Sequence, residues 1–219
     1  AAYTASLCAT ARAGNEGCAP PSIKGFKARV DAKPDARFRN RQPYSLSKCD
    51  EARLAYLLEE EELEGKLERL SPGELPPPCV APTFMVDKKG CFIGRRVGDY
   101  QDFNKNTEDY FHPAPDADGI LMRAAGRSFH AVLDCVWGFS GLDTDEETAM
   151  LMSIITHIGV FMCEKLGYGP KQGQALYQHV QSEVFGGEYK PSGEPLADIF
   201  VDDTQLGDDT KEEHFASLE

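Results

Sequence analysis

The apolar residues of the chain first show helical spacing after residue 46. Between Ser47 and Leu70 the leucines recur three or four positions apart, which is typical of an amphipathic helix with one buried face. Ser47 followed by Asp50 resembles a capping box and predicts where this helix begins. Gly65 marks a weak point in the pattern, and the proline-rich linker at 71–79 ends it.

Alternating apolar residues after the linker predict strands. Residues 81–100 form two such segments joined by a turn at 88–90, which is the pattern of a β-hairpin. The segment "SFHAVLDCVWGF" at 128–139 predicts a compact strand that ends near Asp134. Residues 146–166 mix the two patterns, so that their first part could be helical and their second part extended.

Both kinds of element recur in the last quarter of the chain. Residues 172–186 have helical spacing, "LADIFV" at 196–201 predicts a strand, and residues 210–219 open a closing helix. Strands and helices are interleaved without the regular spacing of strand–helix–strand units, so the pattern favours an α+β fold over a doubly wound sheet.

Charge is distributed unevenly along the chain. The 219 residues carry a formal net charge of −13, with +6 on residues 1–48 and −15 on residues 108–219. A surface that binds a polyanion normally has the opposite balance, so any contact with nucleic acid must rely on local basic residues or on metal ions. Residues 1–45 have no sustained period and predict an irregular basic arm. This arm could touch phosphates, or it could be a flexible tail or an interface strap.

Seven scattered cysteines, none in a C-x-x-C pair, argue against a zinc knuckle and against a disulfide framework. We therefore expect reduced thiols and an intracellular protein. No apolar run reaches about 18 residues, so no membrane span and no membrane partner are expected. The alanine-rich start with Arg12 could be the remnant of an organelle transit peptide, although an unstructured tail fits it better.

Aspartates follow predicted strands at two distant places. Asp134 ends one strand, and the pair Asp202 and Asp203 ends another, within "IFVDD". If these strands are neighbours in one sheet, the three carboxylates converge, and their repulsion demands cations. Such oxygen ligands suit Mg²⁺, although each aspartate alone would more often be a cap or turn residue. The later pair, Asp208 and Asp209, is interpreted as the solvated start of a helix.

Four segments occur in the order of the motifs of a known enzyme family. They are "RRVGDYQDFNKNT" at 95–107, "FHAVLDCVWGFSGL" at 129–142, "LGYGPKQGQALYQHV" at 166–180 and "FVDD" at 200–203. Together they resemble the polymerase motifs of reverse transcriptases, above all those of gypsy-like LTR retrotransposons and retrovirus-type polyproteins. The resemblance implies a right-hand polymerase fold, with a lead-in helix and fingers over 46–127 and a palm over 128–219. It also implies an antiparallel palm sheet with helices packed on one side, and we expect the thumb to be absent.

The resemblance implies a role for each matching residue. Asp134, Asp202 and Asp203 match the catalytic, metal-binding carboxylates of the palm, which hold two Mg²⁺ ions, with Mn²⁺ as an alternative. The positions that match nucleotide-binding residues are Lys88, Lys89, Arg95, Phe139, Tyr168, Gly169 and Gln178. Lysine and arginine suit the oxygens of the incoming triphosphate. Phe139 matches the aromatic gate whose ring would clash with a ribose 2′-hydroxyl. Read alone, Phe139 would be core, and the basic residues would be solvated.

The implied function is RNA-directed DNA polymerisation: two-metal transfer of a deoxynucleotide to a primer 3′-hydroxyl. Its partners would be a primer–template of RNA or DNA and a dNTP, in the cytoplasm or in a virus-like particle. The alternative is a captured, catalytically silent fragment that serves as a structural or interaction protein in a larger assembly. The −15 on residues 108–219 favours this alternative, as do Gly167 and Gln174, which stand where the family has stiffening prolines.

Overall fold

The computed structural model describes residues 22–39, 41–113, 116–135, 137–190, 192–201 and 203–218. Within these residues the chain forms six α-helices and ten strands, and the strands belong to three sheets. The α+β class expected from the sequence is confirmed. No helix among the described residues is both long enough and apolar enough to cross a membrane.

The described part of the N-terminal arm packs against the rest of the chain. Strand β1 (Lys27–Ala28) pairs in parallel with residues 143–144, and Val30 beside it is buried in the main core. Residues 22–39 therefore lie across later elements as a strap. The first 21 residues of the arm are outside the described part of the chain.

Helix α1 (Lys48–Leu63) begins where its capping signal predicts. The Ser47 hydroxyl accepts a hydrogen bond of 3.1 Å from the backbone N–H of Asp50. The helix is shorter than predicted. Gly65 adopts a φ of +67°, a left-handed conformation that turns the chain, and the next residues form strand β2 (Leu67–Arg69). The weak point in the leucine pattern is therefore the end of the helix.

Strands β3 (Ala81–Lys88) and β4 (Cys91–Gly98) form the predicted antiparallel hairpin. Gly90 in its turn has a φ of +79°. The remaining elements follow in the order α2 (Gln101–Asn106), α3 (Ala117–Ala124), β5 (Phe129–Asp134), β6 (Asp143–Thr144), α4 (Glu146–Leu151), β7 (Ile154–Thr156), β8 (Gly159–Cys163), α5 (Gly173–Phe185), β9 (Asp198–Phe200), β10 (Asp203–Asp208) and α6 (Lys211–Leu218). The mixed pattern of residues 146–166 is thus a helix followed by two strands.

The larger sheet has five strands in the order β2-β8-β7-β3-β4, with β3 parallel to β7 and the other pairs antiparallel. Helix α1 packs on this sheet, and Leu54 and Leu58 of the helix are fully buried beside Ile154 and Phe161 of the strands. The sheet draws strands from both sides of the boundary predicted at residue 127. Burial of one apolar helix face against a sheet is the main source of its stability.

The smaller sheet has three antiparallel strands in the order β5-β10-β9. Helix α5 contacts β9, while helices α3 and α6 contact β10. Thr204 and Leu206 of β10 are buried, whereas no residue of β5 is buried. This sheet places two of the predicted aspartates, Asp134 and Asp203, on adjacent strands.

Candidate carboxylate site

The antiparallel register of the smaller sheet places Asp203 directly opposite Asp134. Residues opposite each other in such a ladder project their side chains from the same face, with Cβ atoms about 4.5–5.5 Å apart. The two strands are therefore neighbours, which is the arrangement on which the sequence-based hypothesis depended. Asp202, the third aspartate of that hypothesis, lies outside the described residues.

Asp134 and Asp203 are both exposed, and neither forms an ion pair with another described residue. Like charges directly opposite each other in a ladder are destabilising, so a cation between them would be favourable. Carboxylate oxygens are the ligands that Mg²⁺ prefers. The two side chains therefore fit a divalent cation in donor chemistry. Within the described part of the chain, however, no three histidine, cysteine or acidic side chains are placed to hold a metal ion.

The turn between β9 and β10 is strained at Val201. Its φ of +59° is left-handed, the only such value for a non-glycine residue in the described ranges. A β-branched residue in this region is a genuine outlier and costs about 1–3 kcal/mol. The backbone N–H of Val201 donates a hydrogen bond of 2.7 Å to Oε1 of Gln178. A side chain of helix α5 thus holds the turn that precedes Asp203.

Helix α5 also reaches the strand that carries Asp134. The side-chain amide of Gln181 donates to Sγ of Cys135 at 3.3 Å and to the hydroxyl of Tyr177 at 2.7 Å. The resemblance predicts that Gln178 lines the nucleotide side; its described contacts are to the turn and to its own helix. Gln181 is not among the residues predicted from the sequence. Its only signal there is a spacing of three from Gln178, which is also the spacing of any two solvated residues on one helix face.

The predicted gate lies in an aromatic cluster. The ring of Phe139 makes edge-to-face contacts with Tyr168 and Tyr177, with centroid distances of 4.9 Å and 5.0 Å. Tyr168 is 65% exposed, so one side of the cluster faces solvent. Gly169 has a φ of +119°, and a Cβ there would meet the ring of Tyr100 at 2.5 Å, so no other residue fits. The structure therefore brings Phe139 and Tyr168 into contact, while Gly169 lies against Tyr100.

The predicted phosphate-binding residues lie on the β3–β4 hairpin of the larger sheet. Lys88, Lys89 and Arg95 are exposed, and none pairs with an acidic side chain among the described residues. Arg96 differs: it forms an ion pair of 2.7 Å with Glu61 of helix α1. The hairpin therefore presents three cations to solvent that have no acidic partner in the described part of the chain, on a different sheet from Asp134 and Asp203.

The interpretation of Asp208 as a solvated residue is wrong. It ends strand β10 with only 2% of its surface exposed. Its carboxylate accepts hydrogen bonds from Lys190 at 2.7 Å, His214 at 2.8 Å and Ser217 at 3.1 Å. Burial raises its pKa, but these hydrogen bonds lower it and prevail, so the pKa lies below its usual value. Asp209 is exposed as expected.

Comparison with known proteins identifies relatives that match part of this chain. No protein-family model matches the chain. An uncharacterized protein from Caenorhabditis elegans is 27% identical over 136 residues, 61% of this chain and 10% of that protein. The retrovirus-related Pol polyprotein from transposon 297 of Drosophila melanogaster is 25% identical over 146 residues, 65% of this chain and 13% of the polyprotein. The enzymatic polyprotein of carnation etched ring virus is 23% identical over 122 residues, covering 55% and 18%.

The homologues of this chain are retroelement polyproteins. The expected relationship to retrotransposon and retrovirus-type polyproteins is confirmed, at low identity and over part of each chain. The chain spans less than a fifth of the length of these three relatives, at most 18%. The relationship to these polyproteins suggests a retroelement enzyme domain. At this low identity it does not specify which enzyme.

Proposed function

We propose that this chain is the fingers and palm part of a reverse transcriptase, an RNA-directed DNA polymerase. The observation that supports this proposal most is the register that pairs Asp134 with Asp203, because each aspartate lies in a segment with a polymerase-like motif. Polyproteins of this kind also encode other enzymes. The site favours a polymerase among them because paired carboxylates, a solvent-exposed basic hairpin and an aromatic cluster all occur in one chain.

In this proposal Asp134, Asp203 and the neighbouring Asp202 hold two Mg²⁺ ions, for which Mn²⁺ can substitute. When bound, such ions stabilise the charge on the attacking and leaving oxygens of phosphoryl transfer. The carboxylates contribute by holding the ions in place, next to the oxygens on which negative charge develops. Little acid–base work is left for the protein, because catalysis of this reaction is mostly positioning and charge stabilisation.

The hairpin cations bind the incoming nucleotide in this proposal. The Arg95 guanidinium can form two parallel hydrogen bonds to phosphate oxygens, and Lys88 or Lys89 adds a compact charge. Because these three side chains have no acidic partner among the described residues, no ion pair with those residues has to break before a triphosphate binds. The partners are thus a dNTP and a primer–template of RNA or DNA, and these cations form a local basic site on a chain whose net charge is −13.

Phe139 selects the sugar in this proposal. Tyr168 and Tyr177 pack against its ring edge-to-face, which restricts its movement. A ring held in this way would exclude a ribose 2′-hydroxyl and admit a deoxyribose. We expect Phe139→Ala to raise the incorporation of ribonucleotides relative to deoxynucleotides by about tenfold or more.

Metal binding tests the proposal directly. We expect the purified chain to bind Mn²⁺ saturably when free Mn²⁺ is followed by electron paramagnetic resonance, and Asp134→Asn and Asp203→Asn to abolish this binding. Asp118→Asn, which removes an exposed carboxylate from helix α3, is the matched control and should bind as the unaltered chain does. Absence of saturable binding by the unaltered chain would reject the proposal and favour a silent structural fragment.

Primer extension is the second test. With an RNA template, a DNA primer, dNTPs and Mg²⁺, the unaltered chain is expected to extend the primer, and Asp203→Asn to lower the rate by about a thousandfold or more. If Asp134→Asn and Asp203→Asn extended the primer as fast as the unaltered chain does, the activity would not depend on this site.

A further inference from the structure

Two buried glutamines on helix α5 each contact the residue or turn beside a site aspartate. Gln178 and Gln181 are 5% and 4% exposed, and their spacing of three places them on the same face of the helix. Gln178 contacts Val201, which lies two residues before Asp203 at the start of β10. Gln181 contacts Cys135, which follows Asp134. One helix therefore contacts a residue next to each of the two strands that carry site carboxylates.

The donor and acceptor of the Gln178–Val201 hydrogen bond are unambiguous. A backbone N–H can only donate, so the amide oxygen of Gln178 must face Val201 and its NH₂ group must face away. The NH₂ group lies 3.4 Å from the hydroxyl of Ser182, whose own hydrogen bond goes to the Gln178 carbonyl at 2.8 Å. The side chain is therefore oriented from both ends. It holds Val201 in a conformation that a β-branched residue rarely adopts.

The contact of Gln181 holds the other strand. Its NH₂ group donates to both Tyr177 and Cys135, so its two protons have separate acceptors. Tyr177 in turn packs edge-to-face on Phe139. The end of β5 is thus joined to helix α5 at the point where the chain leaves the sheet and turns toward the aromatic cluster.

We propose that Gln178 and Gln181 act together as a positioning brace that sets the separation and orientation of Asp134, at the end of β5, and Asp203, at the start of β10. Neither glutamine is a metal ligand in this inference; each acts through the backbone or side chain next to an aspartate. The inference rests on the proposed function, since the brace matters for chemistry only if the carboxylates hold a cation. The role requires hydrogen bonding rather than bulk, so methionine, which is similar in size, cannot fill it.

The test compares the same substitution at three positions of one helix. Gln178→Met and Gln181→Met remove the two contacts, whereas Gln174→Met changes an exposed glutamine and is the matched control. We expect the dissociation constant for Mn²⁺ to rise about tenfold or more in the first two variants, as it does when groups behind metal ligands are removed, and to stay unchanged in the third.

A second measurement detects the hydrogen bond between Gln178 and Val201 in the absence of metal. Amide hydrogen exchange followed by NMR is expected to show loss of protection of the Val201 N–H in Gln178→Met, and restored protection in Gln178→Glu, which keeps an acceptor oxygen. If either methionine variant fails to fold, Gln178→Ala and Gln181→Asn, whose side chains are too short to make these contacts, carry the same comparison.

The outcomes separate the two proposals. Unchanged Mn²⁺ affinity in Gln178→Met and Gln181→Met, with binding intact in the unaltered chain, would overturn the brace and leave the proposed function standing. An unaltered chain that binds no Mn²⁺ would overturn the proposed function itself. A tenfold loss shared by Gln174→Met would also overturn the brace, because the effect would then belong to the helix as a whole.

Discussion

The two main sheets of this chain differ in how they are covered. In the five-stranded sheet, Phe161 is 1% exposed, and helix α1 places Leu54 and Leu58 among the core residues beside it. In the three-stranded sheet, no residue of β5 is buried, and Val132 is 66% exposed. The larger sheet is thus part of the hydrophobic core, whereas strand β5 of the smaller sheet is open to solvent.

Because of this difference in burial, the two sheets are stabilised by different interactions. A closed sheet gains most of its stability from buried apolar area, whereas an open sheet depends on its hydrogen-bond ladder and on a few well-placed polar contacts. Asp208, at the end of β10, makes three of these polar contacts. An open face also leaves room for a large substrate next to Asp134 and Asp203, which a packed core would exclude.

Truncation of a core residue should give the largest effect. Phe161→Ala in the five-stranded sheet is expected to lower the free energy of unfolding by about 3–5 kcal/mol, because it leaves a cavity among buried side chains. Val132→Ala on the exposed strand is the matched comparison and should change it by less than about 0.5 kcal/mol. Urea unfolding followed by circular dichroism measures both. Equal losses would show that the two sheets are equally packed.

Removal of the buried charge of the smaller sheet should come next. Asp208→Asn is expected to cost about 2–3 kcal/mol, since it leaves Lys190 without its buried carboxylate partner. The control is Asp209→Asn, which breaks only an ion pair between its exposed carboxylate and Arg127 and should cost less than about 1 kcal/mol. A result in which the two variants match in urea unfolding would contradict the structural role of Asp208.

Acid should weaken the same contact. Because the folded-state pKa of Asp208 lies below its ordinary value of 3.8, its carboxylate stabilises the fold above that value and loses this contribution as the pH falls through the folded-state pKa. The difference in unfolding free energy between the unaltered chain and Asp208→Asn should therefore narrow below about pH 4. A difference that stays constant down to pH 2 would exclude the ionised carboxylate as its source.

Thiol labelling should give the mildest contrast between the sheets. Burial raises the pKa of Cys163 in the larger sheet to about 11, so it should react slowly with a maleimide at neutral pH. Cys135, beside the smaller sheet, is partly exposed and should react faster. Mass spectrometry of the labelled peptides measures both rates. In urea the two cysteines should react alike, and faster labelling of Cys163 in the native chain would contradict the comparison.

Local patterns were enough to predict most of the elements. The helix start at Ser47 was found because capping involves residues only a few positions apart, and the β3–β4 hairpin because alternation and a turn are both short-range signals. The helix end was missed because leucines continue at near-helical spacing past Gly65. There, pairing of β2 with the distant strand β8 outweighed helix propensity.

The site was predicted only in part, for a related reason. Asp134 and Asp203 could be singled out because each follows an apolar run in the sequence, whereas strand β10, which begins at Asp203, was not predicted. The burial of Asp208 and the contacts of Gln181 could not be predicted, because their partners come from other elements of the chain. In the sequence, a buried glutamine and a solvated one on a helix look the same.

The sequence by itself determined the α+β class, several elements such as helix α1 and the β3–β4 hairpin, the motifs and the carboxylates that follow apolar runs. These follow from preferences that act over a few residues, such as helix capping, alternation and turn formation. The tertiary structure decided the register that sets Asp203 opposite Asp134, the burial of Asp208 and the inward face of helix α5. Each of these depends on contacts between distant parts of the chain, whose free energy arises only when the sheets and helices pack together.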